Sequence, residues 1–370
     1  MLHPIAAITD RRIRIALVGC GRISGKHIKA IAAHHERAEL VAICEMQSDR
    51  LEKAQELITE AALKYPGAAT TPSKFETYGE LLTAAQAKTT PVDLVVLTTP
   101  SGLHSGQVIA AAEAGLHVCT EKPMATRWDD GVAMVKACDQ AGVHLFVVKQ
   151  NRFNSTLQLV KRQLKAGRFG KLAMVAVNVF WHRPQSYYDQ DIWRGTWEFD
   201  GGALMNQASH YVDLLDWLVG PVESVSASIA TLGRAIEVED TAALQLRWRN
   251  GALGTMAVTM LTYPKNLEGS ITLLGEKGTV KIGGPAVNQI EHWDFADESP
   301  DDAEVNEASY ATTSVYGFGH PPYYANVLDA MQGKAEALCD GREGLRSLEL
   351  LIGAYRAARD GRTVHLPLEY

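Results

Sequence analysis

From Ile13 onward, short runs of aliphatic and β-branched residues alternate with longer stretches whose apolar residues recur at helical spacing. The runs are IRIALV, LVAIC, DLVVLTT, HVCTEK and HLFVVK, and the stretches between them predict helices near residues 25–34, 48–64, 104–114 and 127–141. This alternation predicts a parallel sheet with helices on both faces. A run without polar alternation, such as Asp93-Leu94-Val95-Val96-Leu97, suits a strand buried on both sides. The alternation ends near Gln150. A helix over about 155–166, a strand from about Lys171 and a helix over about 202–218 follow, then strands at 222–232, 240–249, 252–262, 268–275 and 278–283. Asn250-Gly251 is a two-residue hairpin signal, so this half predicts an antiparallel or mixed sheet. The acidic stretch from Asp294 to Glu307 is expected to be a solvated loop, and helices near 319–332 and 341–359 close the chain. The pattern divides the chain into a domain over 1–149, with 1–12 as an extension, and a second over 150–370.

Composition narrows the class. With 370 residues, 46% hydrophobic and 21% charged, the chain has the make-up of a soluble globular protein with room for two cores. Lys and Arg total 36 against 43 Asp and Glu, a net charge of −7 that offers no general attraction to nucleic acid or to an anionic membrane. An anionic ligand therefore needs local cations. Cys20, Cys44, Cys119, Cys138 and Cys339 form no CxxC pair and mostly sit in apolar runs, as buried reduced thiols do, which favours a reducing, cytoplasmic compartment and no metal site. The N-terminal MLHPIAAITDRR lacks the layout of a secretion signal, and no run of about 18 apolar residues follows, so the chain is expected to be neither exported nor membrane-spanning.

Between IRIALV and the first helix lies Gly19-Cys20-Gly21-Arg22-Ile23-Ser24, a GxGxxS variant of the dinucleotide fingerprint. Its glycines permit a tight turn and close approach of a pyrophosphate, whose charge meets the amides of a helix N-terminus. A glycine motif alone also fits an ordinary turn. The strand before it, the helix after it and Glu45 at the end of the second strand, where a ribose-reading acid belongs, favour a Rossmann domain. Glu45 can accept both ribose hydroxyls and repels a 2′-phosphate, which selects NAD; Arg50 nearby leaves NADP as the alternative. Two more loops, Thr98-Thr99-Pro100-Ser101-Gly102-Leu103-His104 and Glu121-Lys122-Pro123, leave the sheet at the carboxyl ends of strands, where ligands of such sheets bind. His104 serves equally well as the first residue of the next helix. Lys122, an amine fixed before a proline, suits an oxygen whose charge changes during hydride transfer.

The GCGRIS turn, the TTPSGLH loop, the EKPMA strand end and the segment DGGALMNQASHYVDLLDWL, in this order along nearly the whole chain, together resemble the Gfo/Idh/MocA oxidoreductases. The resemblance implies an α/β architecture in which a Rossmann dinucleotide-binding domain is followed by an α/β domain with a large open mixed, mainly antiparallel sheet. It also implies NAD facing a sugar or cyclitol, and a homotetramer formed through the open sheet. Within the family, the segments at 150–154, 181–211, 265–284 and 317–327 resemble UDP-N-acetyl-2-amino-2-deoxyglucuronate 3-dehydrogenases of the WlbA/WbpB type. Those enzymes oxidise the sugar C3 hydroxyl on the way to diacetamido uronic acids of lipopolysaccharide O-antigens. By resemblance, Gln150, Trp193 and Arg194 join the cofactor residues Gly19, Gly21, Arg22, Ile23, Glu45, Thr99, Pro100, Ser101, His104, Glu121 and Lys122.

On the expected helix, Asn206 and His210 are four residues apart and share one face, with Asp213 three further on. A lone helical histidine is more often a packed one. The Gly201-Gly202 entry, the Trp193-Arg194 segment and the resemblance turn the reading to catalysis, for which an imidazole with a pKa of about 6.5 suits removal of a hydroxyl proton. The commonest pattern of the family has an aspartate four residues before this histidine; here it is Asn206, which can orient but cannot balance an imidazolium with a full charge. Lys122 and His210 are expected to share the proton work, and the sequence leaves open which is the base. A UDP-uronate substrate calls for cations, and Arg152, Arg183 and Arg194 are the candidates, each equally able to form an ordinary ion pair. Tyr188, Gln207 and His320, the last beside Tyr323-Tyr324, are further substrate candidates, while Tyr187 and Trp193 read as pocket walls or packing groups. Two rivals stand against this reading. One is a dehydrogenase of a free sugar or inositol, disfavoured by the aromatic segment 181–197; the other is a non-catalytic dinucleotide-sensing regulator, disfavoured by Lys122 and His210.

Overall fold

The computed structural model describes residues 5–312, 315 and 317–368. In chain order its first part contains β1 (Ile13–Val18), α1 (Ser24–Ala33), β2 (Ala38–Cys44), α2 (Ser48–Lys64), β3 (Ser73–Phe75), α3 (Tyr78–Gln86), β4 (Leu94–Leu97), α4 (His104–Glu113), β5 (His117–Thr120), α5 (Trp128–Ala141) and β6 (Leu145–Val147). All six strands run parallel, in the order β3-β2-β1-β4-β5-β6. Every residue of β4 is buried, as its unbroken apolar run requires of a strand covered on both faces. The chain reverses its direction of travel across the sheet between β3 and β4, so the loops after β1 and β4 part there and leave the crevice that ligands of open α/β sheets use. Neither β3 nor α3 was expected. The strand is three residues long and largely exposed, while α3 is set by a Thr77–Glu80 capping box rather than by a long apolar stripe.

The later elements are α6 (Ser155–Lys165), β7 (Leu172–Phe180), α7 (Gln185–Tyr188), α8 (Ser209–Val219), β8 (Val222–Ala230), β9 (Thr241–Trp248), β10 (Leu253–Thr259), β11 (Glu268–Gly275), β12 (Gly278–Gly283), β13 (Gln289–Phe295), α9 (Val305–Ala308), α10 (His320–Met331), α11 (Gly341–Asp360) and β14 (Val364–His365). Eight of these strands form one sheet in the order β13-β12-β11-β7-β10-β9-β8-β14, in which only β7 and β10 pair parallel. The expected mixed, mainly antiparallel sheet is thus present. Along β9 buried and exposed residues alternate strictly, so the sheet has one core face and one open face. The β9–β10 hairpin turns at Asn250-Gly251: Gly251 has φ +90°, and the Trp248 amide donates to Ala252 O at 2.9 Å.

The elements form two compact units. One holds everything described up to Val148 together with His320–Leu345; the other holds Lys149–Gly319 and the chain from Arg346 onward. The sequence reading has a single division at 149/150, whereas in the structure α10 packs on α1 and belongs to the first unit. All five cysteines are buried and free. Among the described residues no helix is long and apolar enough to cross a membrane.

The acidic stretch is largely exposed, as expected, but it is not a loop. It begins inside β13, turns tightly over Pro300–Glu304 and enters α9. Its carboxylates meet two arginines of the second unit. Arg168, buried, bonds Asp302 at 2.8 Å and Asp297 at 3.2 Å, and Arg162 reaches Glu304 at 2.5 Å. The Arg168 hydrogen bond holds the Asp302 carboxyl down to about 2 against its partial burial. Arg168→Ala, which strips these carboxylates of their buried partner, is expected to lower the thermal midpoint of the second unit's transition by about 4 °C, read by calorimetry.

Candidate functional site

In the first unit the glycine turn follows β1 directly. Gly19 has φ +87°, and a Cβ there would stand 2.9 Å from the Thr98 carbonyl carbon and oxygen, so only glycine lets the end of β1 pass β4 this closely. A Cβ added at Gly21 would meet no atom within 4 Å; it faces open space from which a diphosphate can approach the backbone. Arg22 is exposed and Ile23 half-buried in the same turn, and α1 starts at Ser24, whose hydroxyl donates to Gly21 O at 2.7 Å. Glu45 sits just past β2, accepting the Cys20 amide at 2.8 Å and the Gln47 amide at 3.1 Å, so its carboxylate stands beside the turn. A close-approach glycine turn with a carboxylate at the neighbouring strand tip fits a dinucleotide: backbone amides for the diphosphate, an acceptor for a ribose diol.

The loops after β4 and β5 are fastened to each other. Buried His104 places Nδ1 3.0 Å from Pro123 O and Nε2 3.0 Å from Thr99 O, so both ring nitrogens face protein carbonyls. Burial lowers its pKa. Of the two readings of His104, the structure meets the first residue of the next helix, since α4 begins there, and the ring lies between the Thr99-Pro100-Ser101 loop and the Lys122-Pro123 loop. Glu121, also buried, accepts from His27 Nε2 at 3.0 Å and from the Lys122 amide at 3.0 Å. Burial pushes its pKa up, but His27, Lys122 and His320 outweigh it and hold the carboxyl at about 2. Lys122 itself is half-buried at the carboxyl end of β5.

His320 was expected at the sugar or nucleotide. It starts α10 with both ring nitrogens buried and without a hydrogen-bond partner among the described residues, edge-on to His27 at 5.4 Å. Burial, then the neighbouring His27, lowers its pKa to about 3. Tyr323 and Tyr324 are core residues of the same unit, their hydroxyls directed at Cys119 Sγ and His27 Nδ1. His27, Glu121 and His320 bring three ligand-type atoms within 4.8 Å of one another, and the contacts among them are a hydrogen bond and an edge-to-face ring contact.

In the second unit the segment after Gly201-Gly202 is not the continuous helix the spacing predicts. Residues 203–207 form a wide turn closed by Ala208 N donating to Ala203 O at 2.8 Å, and α8 starts only at Ser209. Asn206 and His210 therefore lie in different elements, and the Asn206 amide donates to buried Asp200. His210 Nε2 instead faces the side-chain amide of Gln150 at 3.1 Å, so Gln150, expected at the cofactor, is here the partner of the histidine. Gln207 is buried in the same turn.

Asp213, one turn along α8 from His210, is buried between two cations. Lys149 Nζ donates to Oδ1 at 2.6 Å, and Arg152 binds both oxygens at 2.6 and 2.7 Å. Burial opposes ionisation of Asp213, and Arg152 with Lys149 reverses it, to about 2. Arg152 was expected to hold substrate oxygens; its guanidinium is committed to Asp213 instead. The two remaining candidate arginines stand among aromatic rings. Arg183 lies 5.1 Å from the Trp181 ring and 5.5 Å from Tyr187, and donates to Asn266 Oδ1 at 3.2 Å. Arg194 lies between Trp193 at 4.5 Å and Tyr187 at 4.7 Å, bonded to Asp191 and the Tyr187 hydroxyl. Tyr188 packs edge-on against Tyr187 and is buried.

Sequence reasoning missed Glu239. Its Oε1 accepts from the Leu204 amide and the Tyr355 hydroxyl, both at 2.8 Å, while Oε2 is buried without a partner. A Cβ at Gly202 would lie 1.7 Å from that Oε2, so this glycine makes room for the carboxyl. Burial raises the Glu239 pKa to about 7. In the unfolded chain the same group ionises near 4.5, so folding takes up a proton between the two values. Its contribution to stability is complete below about pH 4.5, falls as pH rises toward 7 and is constant above. Glu239→Gln is expected to flatten this slope in urea midpoints measured from pH 5 to 8, a window outside which Glu121 and Asp213 titrate.

Comparison with known proteins agrees with this geometry. The family described as "Oxidoreductase family, NAD-binding Rossmann fold" matches residues 13–149, and "Oxidoreductase family, C-terminal alpha/beta domain" matches 161–366. The chain is similar to the WlbA dehydrogenase of Bordetella pertussis, solved in complex with NADH and UDP-GlcNAcA: 60% identity, 98% of this chain and 100% of that one covered, TM-score 0.88. It is also similar to the WlbA dehydrogenase of Chromobacterium violaceum with the same ligands, at 57% identity over 99% of each chain and TM-score 0.88. A D-apiose dehydrogenase of Paraburkholderia graminis is 27% identical over 97% of this chain and 91% of its own length. With its glycine turn, its Glu45 carboxylate and both domain matches in place, this chain belongs to the NAD-binding Gfo/Idh/MocA oxidoreductase family.

Proposed function

We propose that this protein oxidises the C3 hydroxyl of UDP-N-acetyl-2-amino-2-deoxyglucuronate to the 3-ketone, with NAD as hydride acceptor, in the cytoplasmic synthesis of lipopolysaccharide O-antigen sugars. The observation that carries this reading is the end-to-end similarity, at 57–60% identity, to two dehydrogenases whose structures hold NADH and UDP-GlcNAcA. Bound NAD takes the C3 hydrogen as hydride. Lys122 and His210 handle the hydroxyl proton, and Asn206, its amide fixed by Asp200, orients the reacting group. Arg183 and Arg194, their guanidinium planes set by flanking rings, are the cations for the diphosphate and the carboxylate, and Arg194 also holds Asp191.

We further propose that the protein is a homotetramer formed through the open sheet face. Met174, Leu253 and Leu274, which are register partners across β10, β7 and β11, are 41%, 49% and 37% exposed. An apolar row across three strands of an uncovered face supports burial against a second copy. Light scattering is expected to give a tetramer, and Met174→Glu with Leu253→Glu a smaller species; an unchanged mass would remove this face from the interface.

Purified protein given NAD and UDP-N-acetylglucosaminuronate is expected to accumulate NADH, with a product two mass units lighter than the substrate, or the same ketone trapped with its reduced cofactor. Lys122→Ala and His210→Ala are each expected to slow turnover about a hundredfold or more. Turnover of inositol or glucose without turnover of the nucleotide sugar would replace the substrate assignment.

A further inference from the structure

Lys122 stands one residue beyond Glu121, and a line of buried contacts fixes the backbone from which its side chain springs. The Tyr324 hydroxyl lies 2.7 Å from His27 Nδ1, His27 Nε2 lies 3.0 Å from Glu121 Oε1, and Glu121 Oε2 accepts the Lys122 amide at 3.0 Å. Tyr324 and His27 are fully buried and Glu121 nearly so. The donors and acceptors are consistent along the line. Tyr324 O–H donates to Nδ1, the Nε2–H donates to one carboxylate oxygen, and the Lys122 N–H donates to the other.

His320 and Tyr324 also stand edge-on to the His27 ring, at 5.4 and 5.8 Å, and leave it little freedom to turn. His27 belongs to α1, the helix that opens at the glycine turn. The helix that meets a diphosphate at its N-terminus therefore also holds, from its interior, the loop that carries Lys122.

We infer that Tyr324 and His27 are positioning residues that set Lys122 through the Glu121 carboxylate. The inference rests on the reading of Lys122 as a proton-handling group. It predicts that losing the histidine donor lets the Glu121–Lys122 segment shift, and a misplacement of about 1 Å can cost on the order of a hundredfold in rate.

Amide replacements separate the two ring nitrogens, because a glutamine NH2 falls near the position of Nε2 and can donate as it does, whereas an asparagine amide reaches only the position of Nδ1, where its oxygen can accept from the Tyr324 hydroxyl. His27→Gln keeps the donor to Glu121 and is expected to retain kcat within about threefold, whereas His27→Asn keeps only the Tyr324 side and is expected to lose on the order of a hundredfold in kcat. KM for both substrates should stay near wild type, and the pH profile of kcat should shift in His27→Asn alone. Tyr324→Phe, which removes only the far contact, is expected to give a smaller loss of the same kind and serves if His27→Asn does not fold.

Equal kcat in His27→Gln and His27→Asn, or losses that follow thermal stability rather than the retained nitrogen, would overturn the positioning role. Lys122→Ala belongs in the same assay. Wild-type turnover there would sink the reading of Lys122 and this inference with it, whereas a dead Lys122→Ala beside a normal His27→Asn would sink the inference alone.

Discussion

A carboxylate taken out of water must be met by donors or cations, and this requirement organises the functional region of both units. In the first unit Glu121 is answered by His27 and by the amide of its own neighbour. In the second, Asp213 is answered by Lys149 and by both arms of Arg152. Burial alone would keep either acid protonated; their partners hold both near 2. Each of these fixed charges stands beside a candidate proton-handling residue. Lys122 follows Glu121 in the chain, and His210 lies one helical turn before Asp213 on α8. In each unit the buried charge ties down the backbone from which the candidate side chain springs.

Glu239 illustrates the opposite case, a buried carboxyl met by neutral donors. The Leu204 amide and the Tyr355 hydroxyl donate to it without supplying a charge, and its pKa rises to about 7. Its size dictates the sequence nearby, since any side chain at Gly202 would occupy the place of Oε2. Gly201, at φ +77°, would carry a Cβ only 2.6 Å from the Met205 side chain. The paired glycines thus serve more than the start of a helix: they admit a buried acid and allow the wide turn at 203–207 that precedes α8.

These relations explain which parts of the structure were legible in the sequence. The alternation of apolar runs and helical stretches is local, so β1, β2, β4, β5, β6 and their helices could be read, as could the Asn250-Gly251 hairpin. β13 escaped notice because it is an edge strand of mostly exposed polar residues whose few apolar ones, Ile290, Trp293 and Phe295, do not alternate regularly. The glycine turn and Glu45 were readable because their chemistry lies within one strand-turn-helix unit. For Arg152 and His320 the sequence left an ion pair and a helix start beside the substrate reading, and it could not name the neighbours, because Asp213 and His27 are distant in sequence. The same holds for the acidic stretch, whose charges look solvated until Arg162 and Arg168 come into view. The single wide turn at 203–207 was not legible either, because its residues carry the same apolar spacing as the helix that follows.

The change from aspartate to Asn206, seen against the commonest family pattern, is narrower than the loss of a charge implies. An amide has a donor end and an acceptor end, and a carboxylate accepts but does not donate. Asp200 is buried, with its other oxygen already receiving the Gly195 amide at 2.8 Å, so Asn206 must turn its NH2 toward Asp200. That orientation turns the Asn206 carbonyl oxygen, an acceptor like an aspartate oxygen, away from Asp200. What the asparagine lacks is the full negative charge, and a second carboxyl, Asp200, stands directly behind it. An amide can hold a hydroxyl or an N–H in place and cannot balance, with a full charge, a proton that arrives on a neighbouring ring, which is why orientation is the role proposed for Asn206.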